Sequence, residues 1–183
     1  MDVTVAKREE EKKTRVRFAL RQNVIPKKRT VDMASSVICR ETQSRVSSVL
    51  NRDVKQYGKK FMFDCNEETC WNSDQGESQW VSLEFPQSVR VSEVKVQFQG
   101  GFSAKTCRLE GCPKDGDFTA ISHLYPEDNN SLQISFILIT QHLSEETKEA
   151  PAVDKVKIMF ENSADFFGRI IVYSLDILGE KAS

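Results

Sequence analysis

Phe63-Asp64-Cys65-Asn66-Glu67-Glu68-Thr69-Cys70-Trp71-Asn72-Ser73, resumed a few polar residues later by Ser78-Gln79-Trp80-Val81-Ser82-Leu83-Glu84-Phe85, is the stretch whose reading decides the fold. Its first half is a polar turn running into a large indole. Asp, Asn and Thr bend the backbone or offer oxygens to it, and Trp71 and Trp80 are placed to plug the end of a core. In the second half Val81, Leu83 and Phe85 fall on one face while Ser82 and Glu84 fall on the other, the period of a half-buried strand. A polar turn, an indole and an alternating strand open a β-sandwich rather than a catalytic centre.

Working outward, the same period recurs. Val94, Val96 and Phe98 alternate with Lys95, Gln97 and Gln99 until Gly100-Gly101 breaks the run. Leu132, Ile134 and Phe136 form another strand, and Val156, Ile158 and Phe160 alternate with Lys157 and Met159. The last strand reads as Ile171, Tyr173, Leu175 and Ile177 against Val172, Ser174 and Asp176. Many period-2 segments without a long amphipathic helix predict an all-β, antiparallel sandwich.

Asp64, then Thr69-x-Trp71-x-Ser73, then Gln79-Trp80 and a strand resembles the discoidin-like domains, also described as coagulation-factor C-type or galactose-binding-like. That resemblance implies the jelly-roll form of the sandwich. Five more specific runs are similar to a family of intracellular proteins associated with an orphan nuclear receptor. They are Ser44-Arg45-Val46-Ser47-Ser48-Val49-Leu50-Asn51-Arg52, residues 67–76, residues 125–133, and Asp165-Phe166-Phe167-Gly168-Arg169 with the closing Leu178-Gly179-Glu180-Lys181. The likeness spans residues 33–181. It implies a non-catalytic module that binds an orphan nuclear receptor and restrains its transcriptional activity, located in the nucleus and also in the cytoplasm. Residues 137–150 depart from the family pattern and read as an inserted loop.

The resemblance also carries an alternative, a carbohydrate- or small-ligand-binding module with a structural calcium ion. In calcium-bearing relatives, oxygens of the loop holding Asp64 and Thr69 are joined by a Glu of the last strand; here that strand offers Ser174 and Asp176. The expectation is therefore that Asp64 and Thr69 cap their own loop, with no cofactor required; if calcium binds, Asp64, Thr69 and Asp176 hold it.

Composition fits one domain. The chain has 183 residues, 39% hydrophobic and 29% charged, enough for a single substantial core. No apolar run approaches the ~20 residues of a membrane helix, so no membrane partner is expected. The net charge of −1 hides an asymmetry: residues 1–32 hold ten Lys and Arg against five Asp and Glu, and residues 33–183 hold sixteen against twenty-two. An arm of +5 thus precedes a body of −6, and an acidic body is a poor ligand for phosphate backbones. Direct nucleic-acid binding by the domain is set aside.

The arm reads as a disordered or frayed-helix extension, because its charges leave too few apolar residues for a packed face. Within it, Pro26-Lys27-Lys28-Arg29 resembles a short nuclear-import signal. Five cysteines, Cys39, Cys65, Cys70, Cys107 and Cys112, cannot all pair, and the start of the chain lacks the apolar stretch of a secretion signal. The reduced, intracellular reading follows. Cys-x4-Cys spacing is wider than the Cys-x2-Cys knuckles of structural zinc, so free thiols are expected.

Only His123 and His142 are present, neither in a nucleophile or metal motif, and no enzyme is expected. For a binding module the candidate contacts are Phe102, Tyr125, Phe166, Phe167 and Arg169, because aromatics and Arg dominate interface energy. Core packing is the competing role for each. Arg169 either faces a partner or pairs with Asp165 and locks the turn.

Overall fold

A single strand of 22 residues, β4 (Ser78–Gln99), ties the two sheets together. Its first half lies between β2 (Gln43–Val46) and β8 (Ala152–Ser163), and beyond β8 come β5 (Ala104–Cys112) and β6 (Thr119–Leu124). Its second half lies between β7 (Gln133–Ile139) and β9 (Ile171–Lys181), and β9 also pairs with β1 (Ser35–Ser36) and β3 (Trp71–Asn72). Every pairing is antiparallel. This is a jelly-roll sandwich: the antiparallel layering is what the alternation predicts, and the jelly-roll form is what the family resemblance implies. The computed structural model describes residues 34–126, 128, 133–139 and 151–182. The basic arm with its Pro26-Lys27-Lys28-Arg29 run, His142, and residues 140–150 of the expected inserted loop lie outside the described residues. Residues 137–139, also assigned to that loop, belong to β7.

β4 changes sheets through two irregularities. Pairing with β8 skips between Glu84 and Val89, around Pro86, which has no N–H to give a ladder. Pairing with β9 skips at Ser92. Val81, Leu83, Phe85, Val89 and Val91 are buried at odd positions, and Val94, Val96 and Phe98 at even ones. The extra residue at the bulge flips the alternation, so the strand faces the core in both sheets.

That core centres on Trp71, Phe160 and Phe98. Trp71 is fully buried, its ring 6.1 Å from Phe160, which meets Phe98 edge-on at 5.5 Å. The indole N–H donates to the Ser48 carbonyl at 2.9 Å, so the polar end of the ring is satisfied as well. Trp80 differs from the expectation that it also plugs the core. It sits in the opposite phase from Val81, half-exposed on the outer face of β4, with Lys157 Nζ 5.1 Å from its ring.

In β9 the expected inward positions Ile171, Leu175 and Ile177 are buried, and the phase fails at Val172 and Tyr173. Gln97 pairs with Ser174 and Phe98 with Val172, so Tyr173 is the bulged residue. Val172 is buried, while the Tyr173 hydroxyl lies 3.2 Å from Gln99 Oε1 at a half-buried position.

Candidate interaction surface

At one end of the sandwich, the turn between β8 and β9 carries Phe166 and Phe167 into solvent, 94% and 55% exposed. Their rings meet edge to face at 5.3 Å. The other large apolar side chains exposed among the described residues, Val54, Phe118 and Tyr125, are not adjacent to one another in sequence, so the Phe166–Phe167 pair stands out.

The turn beneath them is built, not slack. Asp165 accepts from the Phe167 N–H (3.2 Å), the Arg169 N–H (3.1 Å), Arg169 Nε (3.1 Å) and Arg169 Nη2 (3.0 Å). The guanidinium so held stands 5.1 Å from the Phe102 ring and 5.9 Å from the Phe167 ring, sandwiched as cation–π pairs. These bonds to Arg169 hold the Asp165 carboxyl below the ordinary carboxylate range, and the same pair raises the Arg169 guanidinium. Of the two roles open to Arg169, the structure shows the pairing with Asp165: it is the clamp of the tip.

Gly168 makes the turn possible. Its φ is +80°, and a Cβ there would lie 1.9 Å from the Gly76 carbonyl oxygen. Gly76 N–H in turn donates to the Phe167 carbonyl at 3.1 Å. The tip is therefore seated on the loop that follows Trp71, and Ser73 completes the seat by accepting from the Ile170 N–H at 2.8 Å.

Behind that loop runs a buried polar network. Gln79, 2% exposed, accepts from the hydroxyls of Ser47 and Ser48 and donates to the Asp74 carbonyl at 2.9 Å. Asp74 N–H donates to Ser48 Oγ at 3.0 Å. The signature residues Trp71, Ser73 and Gln79, separated in sequence from Ser47 and Ser48, thus form one scaffold under the tip.

Phe102 and Tyr125 lie at the same end. The Phe102 carbonyl accepts from the Ile171 N–H, and Asp128 binds the Gly101 N–H (2.8 Å) and the Ser103 hydroxyl (2.9 Å), tying the segment after Tyr125 to the Phe102 turn. Tyr125 itself is 72% exposed. Phe102 is half-buried and acts as the base on which Arg169 rests.

The residues named for calcium do not form a calcium cage. Asp64 spends one carboxylate oxygen on the Thr69 hydroxyl (2.7 Å) and the other on the Asn66 N–H (3.0 Å). Asp176 lies on β9 opposite Lys95 and accepts from the Ser36 hydroxyl (2.6 Å) and the Ile177 N–H (2.9 Å). Asp64 and Thr69 thus cap their own loop, and Asp176 is engaged with Ser36 beside β1. Among the described residues no three His, Cys, Asp or Glu side chains gather as metal ligands. All five cysteines are free; burial, with a smaller push from Glu161, raises the Cys107 thiol to about 12.

Comparison with known proteins gives this architecture a family. No family model matches the chain. It is 70% identical over 149 residues to the nuclear receptor 2C2-associated protein of Danio rerio, covering 81% of this chain and 99% of that one. The chain belongs to the nuclear receptor 2C2-associated protein family. The human member is 54% identical over 149 residues, with the same coverage. Among solved structures, the F5/8 type C domain of a Bacteroides fragilis protein is similar with a TM-score of 0.65 at 11% identity, over 81% of this chain and 98% of that one. A family 32 carbohydrate-binding module of Clostridium perfringens, solved with galactose, follows at a TM-score of 0.60 and 14% identity, over 80% and 99%. These distant likenesses show the fold of this chain, a discoidin-type, galactose-binding-like sandwich.

Sequence reasoning missed a second feature of this family member. A groove of about 680 Å³ runs beside β2 on the outer face, with Trp80 in its wall. The half-exposed indole was the available signal, hidden because Trp80 was assigned to the core.

Proposed function

We propose that this chain is a non-catalytic interaction module that associates with a nuclear receptor and restrains receptor-driven transcription. The observation that carries the reading is the Phe166–Phe167 pair, projected on a turn that Asp165, Arg169, Gly168 and the Gly76 loop hold in one shape. A rigid aromatic anchor loses little conformational freedom on binding, which is how a small patch yields affinity. The relatives' name as receptor-associated proteins supports the class of partner.

Restraint of transcription needs no chemistry. A module that binds one state of the receptor more tightly than another shifts the receptor toward that state by the difference in affinity. The nucleus, with the cytoplasm as a second compartment, is the location this role requires. Co-precipitation of nuclear receptor 2C2 from cells expressing the chain, with a receptor-driven reporter measured in parallel, tests the reading. Recovery of the receptor and a lowered reporter signal are expected. Loss of neither function on replacing both phenylalanines by serine places the contact elsewhere, and absence of receptor from the precipitate overturns the proposal. Galactose added at saturating concentration is the control for the sugar-binding alternative: it should neither displace the receptor nor raise the melting temperature.

A further inference from the structure

The groove beside β2 has a chemistry unlike the rest of the body. Its apolar lining comes from Val46 on β2, Val49 in the turn after it, Val54, and Trp80 on β4. Val54 is 61% exposed. The rest of its lining is Gly58 and four cations, Arg45, Lys55, Lys59 and Lys60, and no carboxylate among the described residues lines it. Four of the sixteen Lys and Arg of an acidic body therefore surround one apolar cleft.

Local structure holds this arrangement in place. Asp53 caps the single helical turn Val54–Tyr57 by accepting from the Lys55 and Gln56 N–H groups, both at 3.1 Å, which fixes Val54 and Lys55 on the groove side. At Gly58 the chain doubles back so closely that a Cβ would lie 2.3 Å from the Val54 carbonyl oxygen. The following turn, Lys59–Met62, is anchored by buried Met62, and Lys59 Nζ bonds the Ser44 carbonyl on β2. That bond also blunts an edge strand that would otherwise be open to pairing.

We infer that this groove is a second docking site, distinct from the Phe166–Phe167 tip, for an acidic segment of a partner protein that inserts apolar side chains between flanking carboxylates. Charge complementarity selects the occupant. A cleft of this volume holds a few side chains, its floor favours aliphatic groups, and its four cations favour carboxylates around them. An extended polyanion gains less: beyond the groove it meets a surface with twenty-two acidic residues against sixteen basic ones, whereas a short acidic segment ends before reaching it.

The test is fluorescence anisotropy of the full chain with a labelled Leu–Glu peptide, its Leu–Gln counterpart, and a labelled single-stranded oligonucleotide. The Leu–Glu peptide should bind at least about tenfold tighter than the Leu–Gln peptide, with the difference shrinking as salt rises. Charge reversal by Lys55→Glu with Lys60→Glu, both exposed, should weaken it by about tenfold or more at an unchanged melting temperature. Val54→Asp, at a position mostly in solvent, should do the same, and Phe166→Ala should leave the affinity as it was. Equal affinity for the two peptides, indifference to the groove variants, or tighter binding of the oligonucleotide than of the peptide overturns the inference. Because the tip variant is the internal control, failure here leaves the receptor reading standing.

Discussion

Arg169 illustrates how a residue suited to a partner becomes a structural one. Its guanidinium is committed to Asp165 and packed between Phe102 and Phe167, so removing it deprives the turn of its clamp as well as a charge. Asp165→Ala should cost about 1–3 kcal/mol, since it leaves two backbone N–H groups and a guanidinium without their acceptor. Arg169→Ala should lower the melting temperature and partner binding together. Phe166→Ala, at a 94% exposed position, should change stability by no more than about 0.5 kcal/mol.

The pH dependence has a definite sign. The Asp165 carboxyl is depressed by Arg169, so its contribution is complete above the ordinary carboxylate range and is lost as pH falls through the lowered value. Amide signals of Phe167 and Arg169 should therefore hold steady at neutral pH and move only in acid. Movement centred in the usual carboxylate range would mean the pair is not formed. Among thiols, Cys107 should resist alkylation at mildly alkaline pH while exposed Cys39 and Cys65 react, because burial keeps its thiolate out of reach. Mass spectrometry after brief iodoacetamide treatment reads this directly.

Elements were legible where a strand keeps one face inward. The alternations through Val81–Phe85, Val94–Phe98 and Val156–Phe160 appear in the structure as the buried faces of β4 and β8. Legibility stopped at the bulges. Nothing in Val91-Ser92-Glu93 or Tyr173-Ser174 announces an extra residue, yet each flips the phase, which is why β4 read as two strands and Tyr173 as a core residue. β5 and β6 escaped notice as well: Cys107, Leu109 and Gly111 alternate with charged Arg108 and Glu110, a pattern diluted by small residues.

The tip was partly legible. Its aromatics and Arg169 stand out in sequence, whereas the seat formed by Gly76, Ser73 and the Gln79 network joins segments too far apart for spacing to reveal. At this scale Trp71→Ala should remove the fully buried indole and cost about 3–5 kcal/mol, detectable as a lowered denaturant midpoint. Gln79→Leu should cost about 1–3 kcal/mol by stranding the partners of its amide. A Trp71→Ala protein as stable as the parent would contradict the packing described for Phe160 and Phe98.

For the whole molecule, the sandwich and the arm are expected to separate. A chain beginning at Met33 should keep a β-type circular dichroism spectrum, because residues 1–32 contribute little apolar surface to bury. An unfolded product would place the boundary elsewhere. The arm's own proposed role is nuclear import: a large reporter carrying residues 1–32 should concentrate in nuclei, and lose that preference when Lys27, Lys28 and Arg29 become Ala. The account as a whole turns on the claim that a rigid, exposed aromatic tip, rather than the scaffold beneath it, meets the receptor. Calorimetric titration of the receptor with the parent chain and with Phe166→Ala at 25 °C, with the melting temperature of each protein measured alongside, tests that most directly. Binding weakened about tenfold or more at an unchanged melting temperature is the predicted result. Equal affinity of the two proteins would contradict it.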